Sequence, residues 1–248
     1  MKIVGIIPAR YASTRFPGKP LALLQGKYII QHVYENVCAT LHDTYVATDD
    51  ERIYKAVEKF GGKAIMTSPN HQSGTDRVRE ALDLINKKYD VVVNIQGDEP
   101  FIQKSQIETL CTSFEDDNTQ IATLGKRFSS MQEVENENSP KVVVSQSGFA
   151  IYFSRSVVPF IRGKERKQWL ECYPFLKHIG IYAYRTHILQ EISKLPQSPL
   201  ELAESLEQLR WLEAGYKIKV GLTDVETIGI DTSDDLKKAQ RFIISKQL

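Results

Sequence analysis

The sequence predicts an α/β fold: a mostly parallel sheet with helices on both faces and an inserted antiparallel portion. Three observations carry that reading. Short apolar runs alternate with amphipathic stretches through the first half of the chain. Those runs lack the in-out alternation of a half-exposed strand, as expected for strands covered on both sides. In the second half the texture changes to polar stretches and a hairpin signal, so the alternating pattern is interrupted before it resumes near the end.

Ile3 to Ile7 is the first predicted strand, stopped by Pro8. Residues 28–39 follow as a helix, with Ile29, Ile30, Val33 and Val37 at helical spacing. Thr44 to Ala47 is a second strand. Asp49 or Asp50 then caps a helix running to Lys59, which Gly61 and Gly62 end. Lys63 to Met66 is a third strand. Ser73 and Asp76 have capping-box spacing ahead of Val78, Leu82 and Ile85. Val91 to Ile95 is a fourth strand, with a helix near 103–114. Residues 126–140 read as a polar surface excursion with room for a short helix. Lys141–Ser145 and Phe149–Ser154 flank Gln146-Ser147-Gly148, a hairpin signal. Residues 177–184 make another strand. A single helix is expected from Ser198-Pro199 to Ala214, stopped by Gly215. Residues 216–221 form a strand, and a last helix starts at about 233.

The 248 residues have room for one large domain or two small ones. No repeat, low-complexity tract or linker is visible, so 1–248 reads as a single domain. Hydrophobic residues make up 42% and charged residues 25%, which excludes disorder as the main state. A net charge of +1 argues against a dedicated nucleic-acid binder. The three cysteines are scattered and form no CxxC, so neither a zinc site nor a disulfide framework is expected. The first apolar run is too short for a signal-peptide core or a membrane span, and a cytoplasmic protein is the base expectation.

Four segments carry candidate chemistry. Residues 8–20 leave the end of the first strand, where ligands of open α/β sheets bind. Arg10, Arg15 and Lys19 put three positive charges there, Ser13 and Thr14 add hydroxyls, and Gly18 permits close backbone approach. That set suits a polyphosphate, through the guanidinium forks and the compact ammonium. It contains neither a Walker A loop nor a dinucleotide fingerprint. The competing reading is a solvated basic loop. Asn94 to Pro100 ends another apolar strand with Asp98, a carboxylate that must be hydrogen-bonded, paired or bound to a hard cation such as magnesium. The alternative is that Asp98 caps the next turn. Asp231 precedes the last helix and is either its N-cap or a second metal carboxylate. Asn70 to Arg77 is dense in donors and acceptors suited to a base or ribose, although helix capping accounts for Ser73 and Asp76. Later candidates are Arg155 after a strand, His178 and Tyr182 on one face of a strand, and Glu207 and Gln208 within a helix.

Five blocks in order, Ile7 to Leu21, His71 to Arg77, Gln96 to Pro100, His178 to Tyr182 and Gly229 to Thr232, give the chain a resemblance to the 3-deoxy-D-manno-octulosonate (Kdo) cytidylyltransferase family over essentially its whole length. The resemblance implies a Rossmann-like nucleotidyltransferase fold and a magnesium-dependent transfer of cytidylyl from CTP to the 2-hydroxyl of Kdo. The products are CMP-Kdo and pyrophosphate, for lipopolysaccharide synthesis. It implies that Ala9, Arg10, Ser13, Arg15 and Lys19 hold the triphosphate, and that Ser73, Gly74 and Arg77 place the cytidine. Asp98 and Asp231 would hold magnesium, with Arg10 and Lys19 stabilising charge in transfer. Gln96, Arg155, His178, Tyr182, Glu207 and Gln208 fall on the sugar-acid side, and a homodimer would form through a region near 155–200. The alternatives are a related sugar acid, such as the 8-amino analogue or sialic acid, and a non-catalytic CTP sensor.

Overall fold

The computed structural model describes every residue except Ser13, Thr14, Gln72, Thr227 and Leu248, and the side chains of 244–247 are not described. The chain packs into two compact units, Met1–Glu108 with Thr227–Leu248, and Thr109–Glu226.

In the first unit, β1 (Ile3–Ala9) leads through the short strands β2 (Leu23–Leu24) and β3 (Lys27–Tyr28) to α1 (Ile29–Cys38). Then come β4 (Thr44–Thr48), α2 (Glu51–Lys59), β5 (Ala64–Met66), α3 (Gly74–Ile85) and β6 (Val91–Asn94). The division between units falls inside α4 (Lys104–Thr112). The spatial order β6-β1-β4-β5 is parallel throughout, with Ile3 opposite Val91, Gly5 opposite Thr44 and Val46 opposite Ala64. Val4, Ile6, Ile7 and Val91 to Val93 have no solvent exposure, which explains the absence of alternation in these strands. The chain winds outward from β1 to β5 and then returns to lay β6 on the other side of β1. Right-handed crossovers therefore put α3 on the face opposite α1 and α2, and a crevice opens beyond the carboxyl ends of β1 and β6. The expected caps form: Asp50 accepts from the Arg52 N–H, and Ser73 from the Asp76 N–H.

The second unit holds β7 (Ile121–Arg127), α5 (Met131–Glu135), β8 (Lys141–Val144), β9 (Ala150–Ser154), α6 (Trp169–Cys172) and β10 (Leu176–Arg185). α7 (Thr186–Ile192), α8 (Pro199–Glu204), α9 (Gln208–Glu213) and β11 (Ile218–Leu222) follow. Its strands lie in the order β11-β7-β10-β8-β9, and only the β11–β7 pair is parallel. The antiparallel portion expected from the hairpin signal is built on β10, which takes β8 on one edge and pairs with β7, a strand without a predicted counterpart, on the other. α10 (Ser233–Gln247) returns the chain to the first unit.

The expected helix over 198–214 is corrected. Ser205 adopts a left-handed backbone (φ 51°), which ends α8 before α9 begins. Arg155 Nε and Nη2 donate to the carbonyls of Glu204 and Ser205 and hold the break open. Glu207 therefore sits just outside α9 and Gln208 at its first turn, not within one continuous helix.

Candidate active site

The residues that leave β1 and β6 face one another because of where glycine and proline stand. A Cβ on Gly97 would lie 2.8 Å from the Pro8 carbonyl oxygen, so only glycine lets the two strand exits run this close. The loop after β1 closes on itself: Gly18, left-handed at φ 70°, donates its N–H to the Tyr11 carbonyl. Lys19 then opens a short 3₁₀ turn in which Pro20 is buried. Phe16 and Ala22 pack on Leu24, Ile29, Ile230 and Ala239, which fixes the loop to the start of α10.

That apolar base brings Asp231 to Asp98. The Ile230 N–H donates to the Asp98 carbonyl at 2.9 Å. Thr232 and Asp235 cap α10 reciprocally, the Thr232 hydroxyl accepting from the Asp235 N–H and the Asp235 carboxylate from the Thr232 N–H. Asp231 is thereby freed from capping, and Asp98 lies six residues ahead of α4, too far to cap it. Both carboxylates converge on the Lys19 ammonium, Asp98 Oδ2 at 2.5 Å and Asp231 Oδ1 at 3.1 Å. Arg15 reaches Asp231 Oδ1 at 3.3 Å.

These groups line a cavity of about 260 Å³ together with Ala9, Arg10, His71, Ser73, Gly74, Arg77 and Gln96. The fold thus gathers most of the residues expected on the nucleotide side, from positions far apart in the sequence. Ser13 lies outside the described residues. Gln96, expected on the sugar side, lines the same cavity. Arg77 is buried and spends its guanidinium on Thr67 Oγ1 at 2.6 Å and Asp49 Oδ2 at 2.8 Å. It therefore stiffens the wall as well as lining it. His71 belongs to the polar run 70–77 but received no role from the sequence. Its Nε2 is held by the Glu80 carboxylate, which also accepts from the Ser68 N–H.

The remaining candidates belong to the second unit. His178 and Tyr182 have ring centroids 5.4 Å apart. The strand irregularity between Ile179 and Tyr182 inserts two residues, so the alternation that predicted a shared face survives it. Thr123 plugs the irregularity, its hydroxyl lying 3.0 Å from His178 Nε2 and close to the carbonyls of Ile179 and Ile181. Burial pushes the His178 pKa down to about 3, leaving the ring neutral. Tyr182 packs edge-on against Trp211 of α9, one turn from Gln208. The Tyr182 hydroxyl, Gln208 Nε2 and Trp211 Nε1 are buried with no hydrogen-bond partner among the described residues. Three buried orphans in one neighbourhood fit a polar ligand or ordered water. Arg155 donates to the carbonyls of Glu204, Ser205 and Glu137.

Among the described residues no group of three or more His, Cys, Asp or Glu forms a metal cage. Two hard carboxylates converging on one cation nevertheless match what magnesium takes from a protein when phosphate oxygens and water complete its shell. No helix among the described residues is long and apolar enough to cross a membrane.

Residues 4–218 match the family described as cytidylyltransferase. A 3-deoxy-manno-octulosonate cytidylyltransferase of Bacteroides thetaiotaomicron is 63% identical over 246 residues, 98% of each chain. An 8-amino-3,8-dideoxy-manno-octulosonate cytidylyltransferase of a Shewanella species is 45% identical over 246 residues, 97% of this chain and 98% of that one. A solved structure of CMP:2-keto-3-deoxy-manno-octonic acid synthetase complexed with CTP superposes with a TM-score of 0.91 at 44% identity, covering both chains in full.

Proposed function

The chain belongs to the cytidylyltransferase family, and from that premise we propose that it transfers the cytidylyl group of CTP to Kdo, giving CMP-Kdo and pyrophosphate. The observation that carries the reading is Lys19 held between Asp98 and Asp231 in a cavity beyond β1 and β6. Cations for a triphosphate and carboxylates for a divalent ion stand there side by side.

The 2-hydroxyl oxygen of the sugar acid forms a bond to the α-phosphorus of CTP. The bond from that phosphorus to the bridging oxygen breaks, pyrophosphate leaves, and the hydroxyl proton passes to solvent. Arg10 and Arg15 position the phosphates through their guanidinium forks, with Ala9 lining the same cavity. Arg10 and Lys19 lie where charge develops on the leaving group, and preorganised cations are most effective there. Ser73, Gly74 and Arg77 set the cytidine at the start of α3. Asp98 and Asp231 would hold magnesium, which when bound polarises the phosphate and hydroxyl oxygens. Arg155, His178, Tyr182, Glu207 and Gln208 form the sugar-acid side, and the orphaned hydroxyl and amide of Tyr182 and Gln208 support that assignment. A neutral His178 offers the sugar acid a hydrogen bond without a charge. Two copies pair through the region near 155–200, supported by Phe160, a phenylalanine left 73% exposed. The reaction belongs to the cytoplasm, where CTP is made, and its product serves lipopolysaccharide synthesis.

The test is pyrophosphate release with CTP, magnesium and Kdo, with each omitted in turn and with the 8-amino sugar in parallel. Release that needs all three and prefers Kdo is expected. CTP binding without release under any condition would replace the enzyme by a sensor. Asp98→Asn is expected to lower turnover on the order of 100-fold or more. Normal turnover at saturating magnesium would remove Asp98 from the reaction.

A further inference from the structure

The Lys19 ammonium stands where the two carboxylates would turn toward a cation of their own. It lies 2.5 Å from Asp98 and 3.1 Å from Asp231, and its side chain is only 14% exposed. Arg15 adds a second positive charge on Asp231. Both carboxylates are thus already paired with side-chain cations before any ligand arrives. A divalent ion approaching alone must displace an ammonium of its own sign. The displaced ammonium then needs another acceptor, because a half-buried charge without one is costly. A triphosphate supplies such acceptors to Lys19 and Arg15 at once. The exchange needs no backbone movement. Gly18 and the buried Pro20 pin the chain on either side of Lys19, while the lysine's four-carbon stem has its own rotatable bonds for moving the ammonium.

We propose that Lys19 is an exchangeable internal counter-ion: it keeps Asp98 and Asp231 from a divalent ion until a nucleotide triphosphate accepts its ammonium. Binding of the two ligands is then interdependent, and by linkage each tightens the other by one shared factor. The proposal rests on the assignment of Asp98 and Asp231 as metal carboxylates made above.

Manganese binding by the nucleotide-free protein, read from the electron paramagnetic resonance signal of free Mn²⁺, tests it without turnover. The proteins are the natural chain, Lys19→Met, Lys19→Gln, Asp98→Asn, and Lys19→Met combined with Asp98→Asn, each checked for an unchanged circular dichroism spectrum. Removing the ammonium is expected to tighten nucleotide-free manganese binding at least about tenfold, and the added Asp98→Asn to cancel that gain. Equal manganese affinity in the natural chain and both Lys19 variants would overturn the proposal. A parallel titration with CTP separates this failure from a deeper one. If Asp98→Asn alone leaves manganese binding with CTP unchanged, the metal assignment falls and the proposal falls with it.

Discussion

His178 shows what burial does to one side chain. Its ring is packed edge-on against Phe153 and lies beside Tyr182, with Thr123 at Nε2. Burial disfavours the charged ring, and the pKa falls from the ordinary 6.5 to about 3. A folded-state value below the unfolded one means that the unfolded chain binds a proton the folded chain refuses. The stability contributed is therefore complete above pH 6.5 and is lost as the pH falls from 6.5 toward 3, on the order of a few kcal/mol in all. His178→Gln keeps a hydrogen-bonding group for Thr123 and removes the titration. Urea midpoints measured from pH 8 to pH 4 are expected to fall less steeply for the variant than for the natural chain. Parallel curves would show that His178 is not the source of the acid lability. The same residue illustrates the limit of reading one side chain from sequence. Its partner across the strand, Thr123, lies in a segment whose pairing no local pattern announced.

At the scale of elements, legibility followed the range of the physics. β1 and β6 were readable because strands buried on both faces must be largely apolar, β4 and β5 as short runs between local helix signals, and α2 and α3 because Asp50 and Ser73 cap them locally. β7 was missed because Thr123 interrupts its apolar residues Ile121, Ala122 and Leu124, and its two partners, β10 and β11, lie far along the chain. The break between α8 and α9 was invisible for a related reason: Ser205 is no helix breaker, and the force that turns it left-handed comes from Arg155, 50 residues upstream. The candidate site divides in the same way. Arg10, Arg15, Lys19 and Asp98 were marked by charge at strand ends, whereas the release of Asp231 from capping needed Thr232 and Asp235 to be seen bonding each other. Arg155→Lys tests the broken helix. A lysine cannot reproduce three guanidinium bonds to the carbonyls of Glu137, Glu204 and Ser205, so a loss of about 1–3 kcal/mol is expected. Because Glu207 and Gln208 follow that break, the KM for the sugar acid should rise while CTP affinity stays unchanged. An equal loss of CTP affinity would move Arg155 to the nucleotide side.

At the scale of the molecule, the residues proposed for the two substrates fall in two units. Ala9, Arg10, Arg15, Lys19, Ser73, Gly74, Arg77, Asp98 and Asp231 all belong to the first unit, whose parallel sheet and β1/β6 crevice form one site. Arg155, His178, Tyr182, Glu207 and Gln208 belong to the second, with its own core around Phe128, Val134, Trp169 and Phe175. Only Gln96 crosses the assignment, lying with the nucleotide residues. Each ligand should therefore stabilise its own unit first. A ligand at 100 times its dissociation constant adds about 2.7 kcal/mol to any opening that releases it. Hydrogen exchange read by mass spectrometry is expected to slow with CTP and magnesium in peptides covering 8–20, 71–77 and 96–98. Peptides from β10 and α9 should keep their rates until the sugar acid is added, in the presence of a CTP analogue that cannot be cleaved at the α-phosphorus. Equal slowing of β10 and α9 by CTP alone would mean that the nucleotide, not the sugar acid, engages the second unit. The orphaned Tyr182 hydroxyl and Gln208 amide would then be partners of CTP, because the ligand that protects their backbone is the one that satisfies them.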